Sequence, residues 1–221
     1  MSQDVSIIGF NPDLLRASIR EVQNAYNSFM VQISTNIQNN FVNELALYWG
    51  DNQAQMFFAN FKESIDSLIV ESNTVFQSVF NSMNDAGRVW TSSKSPNMIW
   101  SEVPFERVNP TIDISLIKSN IDGLVSMDTN TVVNVTNSSL NSISIEAIRA
   151  LENAQKAVQN CGFVGGTSAT NLCISLGKIK TRVGDLLQGL IEKSKKAIEA
   201  SANDYINIES QVSEAFTGNN S

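Results

Sequence analysis

The 221-residue chain contains no histidine. That absence removes the side chain that titrates near neutral pH, the usual base of Ser-His and Cys-His nucleophile pairs, and the commonest metal ligand. Its two cysteines, Cys161 and Cys173, are too few for a cysteine-built zinc site and lack redox spacing. They read as small, partly buried hydrophobes, with a bridge between them as the alternative. Positive charge is in deficit: 15 Lys and Arg stand against 22 Asp and Glu, a net charge of -7 that repels nucleic-acid phosphates and anionic lipid headgroups. No stretch approaches the ~20 apolar residues of a membrane span. The opening MSQDVSIIGFNPDLL has no basic stretch followed by an apolar run, so any export is expected to follow a leaderless route from the cytoplasm. Gly162, Gly165 and Gly166 are followed by no Gly-Lys-Ser/Thr, which excludes a phosphate loop. The expectation is a protein that is not an enzyme, with no catalytic residue, metal, cofactor or small-molecule substrate, and with neither nucleic acid nor stable membrane insertion among its partners.

What is present is helical periodicity. Apolar residues make up 42% of the chain, enough for a packed core. Asn11-Pro12-Asp13 reads as a helix start: Asn caps free amides, Pro is preset for the first turn, and Asp complements the dipole. Leu15, Ile19, Val22, Tyr26, Phe29 and Ile33 then step by fours and threes, and Ile37, Phe41 and Leu45 extend the stripe. Tyr48-Trp49-Gly50-Asp51 ends the run, with Gly50 able to take the positive φ of a helix end and Asp51 able to cap a new helix. That second helix is predicted to reach Gly87, on the steps Ala54, Phe57, Phe61, Ile65, Leu68, Ser72, Val75, Val79 and Met83. Phe58 and Phe80 fall off that stripe and are candidates for an exposed partner-binding surface.

Pro96, Pro104 and Pro110 forbid regular helix, so residues 91–141 read as a linker. Within it, Leu116, Ile117, Ile121 and Leu124 suggest a short helix over 112–127, and the Asn, Thr and Ser of 129–139 suggest extended or looped chain. A second pair of helices is predicted over 142–216, turning near Phe163 and Gly165, with a fraying tail at 217–221. At one constant offset the two turns match Tyr48 to Phe163, Gly50 to Gly165, Ala54 to Ala169 and Phe57 to Leu172. In both, the aromatic is expected to wedge between helix ends while the Gly turns the chain. The predicted fold class is all-α: antiparallel hairpins at 1–90 and 142–216, packed as an intramolecular four-helix bundle with a long irregular linker.

A helical hairpin with Trp49-Gly50 at its tip resembles the WXG family of small proteins exported by type VII (ESX-like) machinery in Gram-positive bacteria. Residues 5–86 carry the resemblance and 133–209 carry it more loosely; at the first turn Trp sits directly before Gly and Tyr48 takes the usual Trp place, and the second turn, Phe163-Val164-Gly165, has no Trp. The resemblance implies an export signal of the form Tyr-x-x-x-Asp/Glu, which Tyr205 and Glu209 match and which the secretion ATPase would read. It also implies pairing with another WXG-like protein, and roles in virulence as an effector or as part of the export apparatus. The alternative is an intracellular adaptor or chaperone for the targeting domain of a larger type VII toxin.

Overall fold

Asn11 starts the first helix as expected. Its side-chain oxygen accepts the amides of Asp13 at 3.0 Å and Leu14 at 3.1 Å. The computed structural model describes residues 9–94, 98–164 and 166–218. Gly165, Pro96 and the side chains of Ala169, Leu172, Cys173 and Leu176 lie outside the described residues. In chain order the elements are β1 (Gly9–Phe10), α1 (Pro12–Val31), two π-helical turns (Gln32–Asn36 and Gln38–Val42), α2 (Asn43–Leu45), β2 (Trp49–Gly50), α3 (Asn52–Lys94), β3 (Ser126–Met127), α4 (Thr129–Gln159), β4 (Phe163–Val164) and α5 (Gly166–Gly218). The protein is mostly helical, and its strands are single pairs: β1 with β4, and β2 with β3, both antiparallel.

Four boundaries differ from the sequence reading. First, α3 runs through Gly87 to Lys94. Gly87 is a notch in the helix, because a Cβ there would sit 2.5 Å from the Trp100 ring. Second, no helix forms over 112–127, where Ile121 and Leu124 bridge around Asp122 (φ 51°) and Gly123 (φ 82°). Positive φ at both central residues is the mark of a type I′ hairpin turn. Third, 129–141 is not looped but forms the beginning of α4, with Val132, Thr136, Leu140 and Ile143 buried along one stripe. Fourth, α5 continues through Thr217 and Gly218, where fraying was expected, while 219–221 lie outside the described residues.

The described chain divides into two compact units. The first takes Met1–Val31, Leu68–Pro110 and Glu146–Leu186. Its centre is Tyr26, fully buried, with its ring 5.1 Å from Phe76 and 4.8 Å from Phe105. The Tyr26 hydroxyl donates to Asn73 Oδ1 at 2.5 Å and accepts the Val108 amide at 2.8 Å. Gln23 Nε2 donates to the Glu106 carbonyl at 2.9 Å, and Gln23 Oε1 accepts the Glu106 amide at 3.0 Å. Asn84 treats Val103 in the same way, at 2.9 and 3.1 Å, and also accepts the Trp100 indole N–H. The segment 98–110 is thus an irregular strap whose backbone is held at Val103, Glu106 and Val108 by side chains of α1 and α3, an alternative to a sheet ladder. Elsewhere in this unit Lys180 pairs with Glu152 at 2.7 Å, and Ile148 and Leu151 meet the face of Gly184, so α4 and α5 run antiparallel there.

The second unit takes Gln32–Ser67, Thr111–Ile145 and Leu187–Ser221. Phe41 lies 5.7 Å from Phe58 and 5.1 Å from Phe61, and Trp49 lies 5.6 Å from Phe57. Gln38, on the second π-helical turn, repeats the amide clasp on Asp113, at 2.9 and 2.6 Å.

Phe58 and Phe80, expected on an exposed partner surface, are both 0% exposed. Phe58 is enclosed by Phe41, Trp49, Phe57 and Phe61. Phe80 is covered by Phe105 of the strap at 4.8 Å. The aromatics that fall off the stripe of α3 therefore face a core that wraps more than one side of the helix. Replacing either Phe58 or Phe80 by Ala is expected to cost about 3–5 kcal/mol in urea unfolding. Ile206→Ala, at a site 55% exposed, should change stability by less than about 0.5 kcal/mol.

Candidate functional site

The first turn assembles the candidate residues of the second unit. Ala46, Leu47 and Tyr48 leave the helix through short backbone bonds to Val42, Glu44 and Leu45. Trp49 and Gly50 then pair with Met127 and Ser126, and the Asp128 amide donates to the Tyr48 carbonyl at 2.8 Å. Trp49, and not Tyr48, is the wedge: its ring is fully buried against Phe57 and Phe58, whereas Tyr48 is only partly buried. Its indole N–H meets no acceptor among the described residues.

Gly50 is not in the left-handed region, where Gly123 and Gly162 are the described glycines. Its role is close approach. A Cβ at Gly50 would lie 2.6 Å from Ile121 Cγ1 and 2.9 Å from the Asn120 and Ile121 backbone, so only glycine admits the 119–125 hairpin this near. Asp51 comes next as the cap of α3, accepting the Ala54 amide at 2.5 Å as the sequence suggested.

The other oxygen of Asp51 accepts the hydroxyl of Tyr205 from α5. Burial first, then the hydrogen bond to Asp51 and its charge, holds the Tyr205 phenol well above the usual tyrosine range. Around them is an open recess of about 640 Å³ lined by Asp51, Ser119, Asn120, Val125, Asp204 and Ile208, among others. Glu209 is exposed, as is every residue from Ile206 to Glu214. The structure thus brings Gly50, Asp51 and Tyr205 together and leaves Glu209 facing solvent one helical turn on. Sequence reading missed the pairing of Tyr205 with Asp51, which nothing local signals across so long a separation. It also missed the 119–125 hairpin, whose Asp122-Gly123 dipeptide was the available signal.

The second turn belongs to the first unit and uses a similar clasp. Phe163 and Val164 pair with Phe10 and Gly9, and the Asn11 amide donates to the Gly162 carbonyl at 3.0 Å. Phe163 packs on Phe10 at 5.2 Å and Trp90 at 6.1 Å. By strand register Phe163 takes the place of Trp49 and Val164 that of Gly50, one residue away from the match expected from sequence. Gly162 (φ 81°) lies so close to Leu14 and Asn11 that a Cβ would be 2.8 Å from the first. Cys161 is buried beside this turn.

Gly50→Ala drives a methyl against backbone, which cannot rotate away. It is expected to lower stability by about 1–3 kcal/mol in urea unfolding, the usual range for overpacking. Tyr205 supplies a pH test. Its folded-state pKa is raised, so its contribution to stability is complete below the ordinary tyrosine value of about 10 and is lost as pH rises beyond it. Tyr205→Phe removes that linkage, so unfolding measured between about pH 9 and 11 should lose less stability with rising pH than in the unaltered chain. Comparison of the chain with protein-family models, with curated proteins and with solved structures finds no match.

Proposed function

We propose that the protein acts by binding other proteins, as an exported helical substrate or effector of a type VII secretion system, and that the end of α5 is the element its secretion ATPase reads. The observation that carries this reading is the placement of Tyr205 and Glu209 one turn apart on a helix whose residues 206–214 are all exposed. Positions four apart share a helix face, so one receptor surface can meet both. A folded helix holds the backbone of such a pair already ordered, which lowers the entropy a receptor must overcome.

In this reading the helices flanking the turns at Gly50 and Val164 form two hairpins that cover each other's apolar faces as an intramolecular four-helix bundle. The pairing of β1 with β4 and of β2 with β3 supports it, since each joins the segment just before a long helix, α1 or α4, to the turn of the other helix pair. The protein then needs no second WXG-like subunit to complete its core. One observation favours the alternative of an adaptor for a larger toxin: Ile206, Ile208 and Val212 are 55%, 58% and 45% exposed and offer a partner helix an apolar contact.

Tyr205→Ala and Glu209→Ala should each lower the amount of protein in the culture medium by at least about tenfold, equivalent to about 1.4 kcal/mol of receptor binding. Helicity by circular dichroism should be unchanged. Normal export of both variants would reject the assignment, and co-purification with a toxin's helical domain in a stable complex would favour the adaptor.

A further inference from the structure

The Tyr205 hydroxyl is engaged within the second unit. Its acceptor, Asp51, is only 5% exposed and is itself fixed, because Oδ1 holds the Ala54 amide at 2.5 Å while Oδ2 takes the phenol. Asp51 sits directly after β2, whose Gly50 is pressed against Asn120 and Ile121, so this acceptor has little freedom to track the tyrosine if α5 moves. Along α5 the bond marks a boundary. Ala202 is 4% exposed, Tyr205 is partly buried in the recess formed with Ser119, Asn120, Val125 and Ile208, and Ile206 to Glu214 are exposed throughout.

A phenol that donates to a carboxylate makes a charge-assisted hydrogen bond, stronger than a neutral one. A surface that approaches the end of α5 from solvent therefore meets Ile206, Ile208 and Glu209 directly, but meets only the exposed part of the Tyr205 ring while its hydroxyl stays on Asp51.

We propose that the Tyr205–Asp51 hydrogen bond is a latch that withholds the Tyr205 side chain from any protein docking on the end of α5, so that full engagement of Tyr205 and Glu209 requires the bond to break. The inference rests on the reading of Tyr205 and Glu209 as a recognition pair. It adds that the pair is half masked in the folded chain and completed on binding. The partner needs a surface that outcompetes Asp51 for the phenol, which calls for a carboxylate acceptor beside a cation for Glu209.

Hydrogen–deuterium exchange on the intact chain tests the latch without a partner. Tyr205→Phe keeps the ring and removes only the hydroxyl. Exchange in peptides covering 199–214 and 119–125 is expected to accelerate about tenfold, the effect of losing one hydrogen bond to a charged group. Asp51→Asn loses the charge and leaves one oxygen for the two donors that Oδ1 and Oδ2 hold, so its exchange there should accelerate, but less than in Asp51→Ala. Asp51→Ala should accelerate both peptides and the first turn of α3. Unchanged exchange in Tyr205→Phe would overturn the latch. Failure of the latch and failure of the recognition reading are separable: Tyr205→Phe with unaltered exchange alongside Tyr205→Ala with lost export rejects the latch alone. Tyr205→Ala with normal export rejects the recognition reading and, with it, the masking role.

Discussion

Each of the two turns is held shut by a short piece of backbone from elsewhere in the chain. Gly9-Phe10-Asn11 lies along Gly162-Phe163-Val164 in one unit, and Ser126-Met127-Asp128 lies along Tyr48-Trp49-Gly50 in the other. In each clasp the last residue of the approaching segment donates its amide to the turn and then caps a helix with its side chain, Asn11 for α1 and Asp128 for α4. One residue therefore fixes both where a helix begins and what its start is bound to. Backbone groups at a turn between two helices have no ladder of their own, and leaving them buried without partners would cost about 1–3 kcal/mol each. The clasps satisfy them, and in doing so they place Trp49 in the core and bring Asp51 to Tyr205.

The strap over 98–110 answers the same requirement differently. Its prolines at 104 and 110 cannot donate to a sheet, and it runs beside helices that offer no free backbone edge. Gln23, Asn73, Asn84 and the Tyr26 hydroxyl supply the missing donors and acceptors. Because these side chains project from α1 and α3 among apolar neighbours, the strap also packs a half-buried Phe105 against Tyr26 and Phe80 and buries Trp100 against Gly87. Residues 98–110 of the segment that reads as a linker thus place Trp100 in the core of the first unit, and Phe105 gives the aromatics on a further face of α3 something to pack against.

Helical class and the first helix were legible because they rest on short-range physics. The stripe from Leu15 to Ile33 is buried throughout, and Asn11 and Asp51 cap as their positions implied. The beginning of α4 was not legible. Asn, Thr and Val are weak helix formers, and the buried stripe Val132, Thr136, Leu140, Ile143 contains a threonine whose hydroxyl is satisfied by the Val132 carbonyl, so apolar counting passed over it. Leu116 and Leu124 misled in the opposite sense, mimicking a helical stripe while lying 50% and 68% exposed, the first in a turn of its own and the second at the end of the hairpin turn. At the candidate site the types of residue were readable from sequence, but their meeting was not. Tyr205 and Asp51 are brought together by packing over the whole unit, and the burial of Phe58 and Phe80 depends on neighbours that periodicity alone does not name.

In the proposed reading the surface offered to a partner is a clasped turn, a recess beside it, and a terminal stretch of α5 that leaves the core at Tyr205. Its chemistry is acidic and aliphatic, with Asp204, Glu209 and Ile208 and no cation after Lys196. How far it is preorganised depends on the clasps staying closed. Residue-resolved amide exchange in the intact chain measures that dependence directly. If the clasps belong to the cooperative core, the amides of Asn11 and Asp128 exchange as slowly as those of Tyr26 and Leu140 in the adjoining helices. Exchange of Asn11 and Asp128 at the rate of an open loop, with the helices still protected, would show that the turns stand without them.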